Sequence, residues 1–297
     1  MEQAERRLGG KLKDIRDFID DLYKNGIDAK RVDALAGATC LGELRSRGPA
    51  SRAWAQSYGG YAMKTSETIF PGIDVTSTDT VIDLGCGQGR VCEIAGSAGA
   101  VVIAIDLKED AVRDVTDRMR NVPARGFRGI VSSCNPIPVR SSTCTVIVAQ
   151  EVIEHVENPR AFLREMVRIG TPDARYVISV PDSVSETIMG IVSSPSYFQP
   201  PNHIHVFKRD EFQAMLDDAG FIIEHATFGG FFWSLWWFFH QSAALPGSPV
   251  TSEELTSAWQ QTWDLFCRTP KIVEVRNALD VAIPKSQIYI CRKVAEK

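Results

Sequence analysis

The fold is decided by the stretch Val81-Ile82-Asp83-Leu84-Gly85-Cys86-Gly87-Gln88-Gly89-Arg90. Four mainly apolar residues lead directly into three glycines at alternate positions, which is typical of a buried strand that ends in a tight turn before a helix. Gly85 allows the sharp turn, Gly87 lets the backbone approach a ligand because it has no Cβ atom, and Gly89 lets the helix start close to the strand. The free N–H groups of that helix start can then contact the ligand.

Strands and helices alternate after this turn. Strands are predicted at residues 80–84, 101–105, 129–132, 143–149, 176–180, 221–225 and 287–292. Helices are predicted between them, at residues 89–98, 109–119, 159–169 and 210–219. This alternation predicts an α/β fold with a doubly wound, mostly parallel, seven-stranded Rossmann-like sheet that is covered by helices on both faces.

The chain divides into two predicted parts. Residues 1–70 form an N-terminal helical extension or lid, because apolar residues recur three and four apart over residues 3–24 and a second helical stretch follows at 31–44. Residues 71–297 form the domain that carries the site, with inserts near 183–205 and 229–283. We expect the N-terminal helices to close over the site.

Composition limits the class of protein. The 297 residues carry a net charge of −4, which argues against general nucleic-acid binding. The seven cysteines are scattered and form no Cys-x-x-Cys pair, as expected of reduced thiols. No signal peptide and no apolar run of membrane-spanning length is visible, so a cytoplasmic location is expected.

Two later segments extend the predicted ligand site. The second strand ends in Asp106, about twenty residues beyond the glycine turn, and in a doubly wound sheet a carboxylate there can accept both hydroxyl protons of a ribose. The alternative is a solvated helix cap. The third strand leads into residues 132–138, which read either as a base-binding loop or as an unspecialised turn. A nicotinamide-dependent dehydrogenase would have its third glycine one place later.

Taken together, these motifs resemble class I S-adenosylmethionine-dependent methyltransferases over residues 71–294. The resemblance implies that S-adenosylmethionine is the cofactor and that ten residues lie along it: Asp83, Gly85, Cys86, Gly87, Gly89, Asp106, Leu107, Ser133, Cys134 and Gln150. Many members have an Asp, a small residue and then Leu-Pro in the loop after the third strand. Here Ser133 stands in the Asp place and Ile137-Pro138 in the Leu-Pro place, so Ser133 would bond the adenine amino group more weakly and the Cys134 N–H would reach a ring nitrogen.

An acidic segment with a histidine follows the fourth strand. Glu151, Glu154 and His155 stand at i, i+3 and i+4, which would place all three on one face of a helical turn. Such a group favours Mg²⁺ or Mn²⁺, because oxygen ligands dominate it. The segment resembles the O-methyltransferases of ubiquinone biosynthesis and the methyltransferases that modify a terminal 2′-hydroxyl of small RNAs. In the latter a downstream histidine completes the site, and His203 aligns better than His205.

Three interpretations of this segment remain open. The predicted metal ligands are Glu151, Glu154, His155 and His203, and the predicted catalytic residues are His155 and Glu154. Without a metal, His155 would be a general base. The third alternative is a packed, hydrogen-bonded histidine with no chemical role.

An unusual aromatic run follows the sixth strand: seven of the nine residues at 231–239 are Phe or Trp. The run is too short to span a bilayer. It would wall an apolar acceptor pocket, rest at a membrane interface, or pack against the insert at 251–267.

The sequence therefore predicts an S-adenosylmethionine-dependent enzyme that methylates a hydroxyl of a small or lipid-like molecule, with nucleic acid a less favoured partner. A terminal 2′-O-methyltransferase of RNA, a metal-free C- or N-methyltransferase, and a binding module that has lost its chemistry are the alternatives.

Overall fold

The computed structural model describes residues 69, 70 and 72–294, and its centre is a seven-stranded sheet. The strands are β1 (Thr80–Leu84), β2 (Val101–Asp106), β3 (Gly126–Val131), β4 (Cys144–Gln150), β5 (Gly170–Pro181), β6 (Phe221–Gly229) and β7 (Ser286–Lys293). Their order across the sheet is β3-β2-β1-β4-β5-β7-β6. The prediction of a seven-stranded, Rossmann-like α/β sheet is confirmed.

Helices cover the sheet and build the insert. They are α1 (Arg90–Ser97), α2 (Glu109–Met119), α3 (Pro159–Ile169), α4 (Ser183–Val192), α5 (Arg209–Ala219), α6 (Phe231–Ala243), α7 (Ser252–Phe266) and α8 (Ile272–Ala282). Short 3₁₀ helices lie at Ile153–His155 and Pro195–Phe198. None of the described helices has the length and apolar character needed to cross a bilayer. The predicted N-terminal extension lies outside the described residues, apart from residues 69 and 70.

The two faces of the sheet carry two apolar layers. Successive side chains of a strand point to opposite faces, so neighbouring residues of β1 enter different layers. Ile82 and Leu84 pack in the layer that contains Phe162 of α3. Val81 packs in the opposite layer, which contains Ala95 of α1. Both faces are therefore buried, which explains why the central strands read as continuous apolar runs.

The sheet is not wholly parallel, because its last strand in the sequence runs in the opposite direction to its neighbours. The pairs among β1 to β5 are parallel, whereas β7 runs antiparallel to both β5 and β6. The alternation of strands and helices does not encode this reversal, because the connection before β7 is long and its exit and entry points are not visible in the sequence. The sheet is mixed, with one reversed strand between two others.

That long connection leaves and re-enters the sheet at one point. The Lys285 N–H donates to the Gly229 carbonyl at 2.8 Å, and Gly229 is the register partner of Ser286. Strands β6 and β7 thus form a hairpin whose loop is the helical insert of residues 230–285. This geometry reverses β7 and brings Lys285 to the carboxyl edge of the parallel strands.

The aromatic run lies in the first helix of this insert. Phe231, Phe232 and Phe238 of α6 are buried, and the first two share an apolar cluster with Trp263 of α7. Trp237 is the exposed aromatic side chain of the run, with 37% of its surface accessible. Packing within the insert, one of the alternatives that the sequence left open, accounts for most of these side chains.

Candidate active site

The glycine turn is closed on one side and open on the other. The N–H groups of Gly85 and Cys86 both donate to the Ile105 carbonyl of β2, at 2.8 and 2.9 Å. At Gly85 φ is +73°, and a Cβ atom there would lie 2.4 Å from Val152 Cγ2. At Gly87 φ is +46°, and a Cβ atom would meet nothing closer than the Gly85 carbonyl oxygen at 4.0 Å. The open space at Gly87 is where a ligand can approach the backbone.

Asp106 joins the second strand to this turn. Its Oδ2 accepts from the Gly87 N–H and its Oδ1 from the Lys108 N–H, both at 2.9 Å. A carboxylate has about four acceptor positions, so the two oxygens retain capacity for ribose hydroxyls. The next side chain, Leu107, is 67% exposed and offers apolar surface to a flat base. Open backbone, a carboxylate and apolar surface together fit an adenosine-containing cofactor.

In the loop after β3, the backbone N–H of Cys134 makes a different hydrogen bond from the one expected from the sequence. Cys134 is buried and has a φ of +58°, and its N–H donates to Ser132 Oγ at 3.0 Å. That N–H is therefore already used within the loop, instead of being free for an adenine nitrogen. Ser133 is exposed, so its side chain remains a candidate for the adenine amino group.

The end of β4 lies beside the glycine turn. Leu84 of β1 is the register partner of Ala149, so Gln150 follows at the level of Gly85. Two residues later, Val152 contacts the position that a Cβ of Gly85 would occupy. The predicted cofactor turn and the acidic segment therefore share one edge of the sheet.

Glu151 takes a different place from the one that its spacing predicted. It has a φ of +55°, and the 3₁₀ helix begins only at Ile153, so Glu151 does not share a helical face with Glu154 and His155. Its Oε1 accepts from Ser179 Oγ at 2.9 Å and its Oε2 from Lys285 Nζ at 2.8 Å. The Lys285 ammonium lowers the pKa of the Glu151 carboxyl against the effect of burial.

Three other predicted residues do meet. One candidate ligand atom from each of Glu154, His155 and His203 lies within 4.8 Å of the other two, and His155 Nε2 is 3.6 Å from Glu154 Oε1. The Glu154 side chain is fully buried, and its two oxygens have no hydrogen-bond partner among the described residues. Burial and the Glu151 carboxylate raise the pKa of Glu154 well above its usual value. An unpartnered buried carboxyl is costly for stability, so it is a candidate for function.

Hydrogen bonds orient both histidines toward this carboxyl group. His155 Nδ1 lies 3.1 and 3.0 Å from the carbonyl oxygens of Pro201 and Asn202, which can only accept, so Nδ1 carries the proton. His203 Nδ1 lies 2.8 Å from Glu186 Oε2. In the neutral form of either ring, Nε2 then has the free lone pair. Histidines that ligate metals are commonly held in this way by an outer carbonyl or carboxylate.

The loop that carries His203 is tied to the same 3₁₀ helix. The N–H groups of Ile204 and His205 donate to the Glu154 carbonyl oxygen at 2.9 and 3.2 Å. His205 Nε2 instead lies 3.0 Å from the Val156 carbonyl oxygen. Of the two downstream histidines, the structure therefore brings His203 into the cluster.

Sequence reasoning missed two residues of this edge, Glu186 and Lys285. Glu186 is buried in α4 and also accepts from Tyr197 Oη at 3.1 Å. The sequence predicts only an insert near residues 183–205 and assigns no polar side chain there, although Asp182 caps the helix through the Val184 N–H at 3.0 Å and is a readable start signal. Lys285 carries no local signal, because only the hairpin formed by β6 and β7 brings it to Glu151.

Comparisons with known proteins identify the family of this chain. A family model described as a methyltransferase domain matches residues 45–226, more than half of the chain. The chain therefore belongs to this methyltransferase family, as its sequence motifs implied.

The curated relatives are more distant and partial. A probable S-adenosylmethionine-dependent methyltransferase of Mycobacterium tuberculosis is 28% identical over 48% of each chain. The mitochondrial ubiquinone biosynthesis O-methyltransferase of Schizosaccharomyces pombe is 31% identical over 37% of this chain and 39% of its own. Norajmaline N-methyltransferase of Rauvolfia serpentina is 30% identical over 33% and 34%. The chain thus spans about half the length, or less, of these relatives.

A solved structure supports the fold over a larger part of the chain. Geranyl diphosphate methyltransferase in complex with S-adenosylmethionine aligns with a TM-score of 0.52, covering 86% of this chain and 90% of that one. The sequence identity is 15%, so this likeness concerns the fold alone.

Proposed function

We propose that this chain is an S-adenosylmethionine-dependent O-methyltransferase of a small or lipid-like hydroxylated acceptor, with a divalent cation held by Glu154, His155 and His203. The observation that carries the proposal is the buried, unpartnered Glu154 carboxyl beside two oriented imidazoles, next to the glycine turn. The match to an O-methyltransferase of ubiquinone biosynthesis supports the transfer to oxygen.

Each part of the site has a task in this chemistry. S-adenosylmethionine supplies a methyl group on a sulfonium, which is a good leaving group. Asp106 would accept the ribose hydroxyls, and the open backbone at Gly87 would lie against the cofactor. A divalent cation supplies Lewis acidity that lowers the pKa of an acceptor hydroxyl. Positioning of the two reactants then provides much of the remaining rate enhancement.

The lone pair of His155 Nε2 has one of two roles: it would bind the cation, in which case the activated hydroxyl would release its proton to water, or it would act as the base without a cation. Burial lowers the pKa of His155, so its imidazole is neutral near pH 7 and the Nε2 lone pair can bind the cation or, in the metal-free alternative, accept the proton of the acceptor hydroxyl. The Pro201 and Asn202 carbonyls keep that lone pair directed toward Glu154. An acceptor with two adjacent oxygens, such as a catechol or vicinal diol, fits the proposed site because chelation would fix its orientation.

The helix that carries the aromatic run is connected to the proposed cation site through α4. Helix α6, with the aromatic run, meets α4 through Ser234 Oγ and Ser185 Oγ, which are 3.1 Å apart. The next residue of α4, Glu186, holds His203. The aromatic helix is thus joined to the element that orients the cluster. Peripheral membrane contact through residues 231–239 stays a prediction, for which the exposed Trp237 is the main candidate.

Removal of the cation tests the proposed function directly. After chelation with EDTA, methyl transfer to a catechol should fall to background, and an added divalent cation should restore it. A monophenol of matched size is the control acceptor, since it cannot chelate. Full activity after chelation would contradict the proposal and leave His155 as a general base acting alone.

Two alanine substitutions should separate cofactor binding from folding. We expect Gly87→Ala to lower the affinity for S-adenosylmethionine at least about tenfold while costing only about 1 kcal/mol of stability, because its methyl group would enter open space. Gly85→Ala should cost about 2–4 kcal/mol of unfolding free energy, because its methyl group would overlap Val152. Calorimetry and urea unfolding measure the two effects. Normal cofactor affinity in Gly87→Ala would place the cofactor elsewhere.

A further inference from the structure

The charge balance of the site depends on a residue outside the predicted ligand group. Lys285 Nζ lies 2.8 Å from Glu151 Oε2, and Ser179 Oγ binds the other oxygen of Glu151 at 2.9 Å. Both carboxylate oxygens therefore have partners, and the positive charge beside Glu151 comes from the protein itself. The side chains of Lys285 and Glu151 are only 20% and 33% exposed, so solvent screens this ion pair weakly.

The candidate metal ligands other than Glu151 are mostly nitrogen atoms. Without Glu151, the candidate ligands are one carboxylate, from Glu154, and two imidazoles, from His155 and His203. Mg²⁺ prefers oxygen ligands and rarely takes imidazole, whereas Zn²⁺, Fe²⁺ and Co²⁺ bind imidazole well. The sequence expectation of Mg²⁺ or Mn²⁺ depended on counting Glu151 as a second carboxylate ligand.

We infer that Lys285 determines the metal selectivity of this site: by pairing with Glu151, it leaves a two-histidine, one-carboxylate group that binds a transition-metal ion such as Co²⁺ or Zn²⁺ in preference to Mg²⁺. The inference rests on the proposed function, because it concerns the same cation. The unpartnered oxygens of the fully buried Glu154 are the independent sign that this group takes a ligand.

Titration of the full chain with single metal ions tests the inference without any turnover. Calorimetry should show the wild-type protein binding Co²⁺ at least about 100-fold more tightly than Mg²⁺. Bound Co²⁺ should also show visible absorption bands of imidazole ligation, and His203→Ala should weaken them. Equal affinity for Mg²⁺ and Co²⁺ would overturn the inference.

Substitutions at the ion pair test the role of Lys285 itself. Lys285→Met releases Glu151, so the affinity for Mg²⁺ should rise about tenfold or more. The double variant K285M/E151Q should return to the wild-type Mg²⁺ affinity, because the released carboxylate is removed. The variant Lys285→Arg should also have the wild-type Mg²⁺ affinity, because the positive charge is retained. Unchanged Mg²⁺ affinity in a folded K285M protein would overturn the inference. If K285M does not fold, loss of the Co²⁺ preference in K285R would overturn it instead.

The result also separates this inference from the proposed function. A wild-type protein that binds none of the tested ions would contradict the cation in the proposed function, and the inference with it. A wild-type protein that binds Mg²⁺ as tightly as Co²⁺ would leave the proposed cation in place and remove only the selectivity assigned to Lys285.

Discussion

Glu154→Gln should abolish the response to metal ions and lower methyl transfer at least about 100-fold, while the free energy of unfolding of the metal-free protein does not fall. The amide keeps the size of the carboxyl group but carries no charge. Because the two Glu154 oxygens have no partner among the described residues, the wild-type side chain contributes little to stability. Calorimetric metal titration and urea unfolding of the two proteins measure the two effects.

Glu151→Gln is the matched control, since it makes the same chemical change three residues earlier. Glu151 accepts from Lys285 Nζ and Ser179 Oγ, so its neutralisation leaves a poorly solvated ammonium group. We expect this variant to lose about 1–3 kcal/mol of unfolding free energy. A Glu154→Gln protein that loses more stability than Glu151→Gln would mean that Glu154 is a structural residue.

The stability of the protein should decrease as the pH rises from about 4 to about 7, because of Asp83. Burial raises the pKa of Asp83 from 3.8 to about 7, and the nearby Asp106 carboxylate adds to the shift. In this range the native state keeps a proton that the unfolded state releases, so the free energy of unfolding falls with pH and levels off above pH 7. The effect of this one group is about 4 kcal/mol at most.

The variant Asp83→Asn isolates this contribution. Asp280 is also buried, and its pKa is raised to about 6, so the wild-type slope contains more than one group. The difference between wild-type and variant unfolding free energies should grow in favour of the variant between pH 4 and pH 7. Urea unfolding at five pH values measures it, and a constant difference across the range would show that Asp83 is ionised in the native state.

Local sequence signals were sufficient for much of the fold and part of the site. The glycine turn and Asp106 are readable because each lies at the end of a continuous apolar strand, and the parallel strands bring such ends to one edge. The N-terminal extension was predicted from its apolar periodicity, and the structure does not test it. The glycine spacing also distinguished a methyltransferase from a dinucleotide-binding turn.

Other features depend on contacts that a local pattern does not contain. The spacing of Glu151, Glu154 and His155 suits an α-helical face, but the backbone at Glu151 has a positive φ and only a 3₁₀ turn follows. Lys285 is distant in sequence from Glu151, and their contact depends on the reversed strand β7. The ion pair between Glu151 and Lys285 can therefore be predicted only when the topology of the sheet is known.

The insert of residues 230–285 can be regarded as an exchangeable module. Its two ends are joined across one backbone hydrogen bond, from Lys285 to Gly229, and it has an apolar cluster of its own around Phe232 and Trp263. The part of this segment that lies away from Ser234 and Lys285, which contact Ser185 and Glu151, can be lengthened or shortened with little strain on the sheet, because loop closure costs little extra as length grows. Changes of length in that part would therefore leave the glycine turn and the sheet beneath it unaltered.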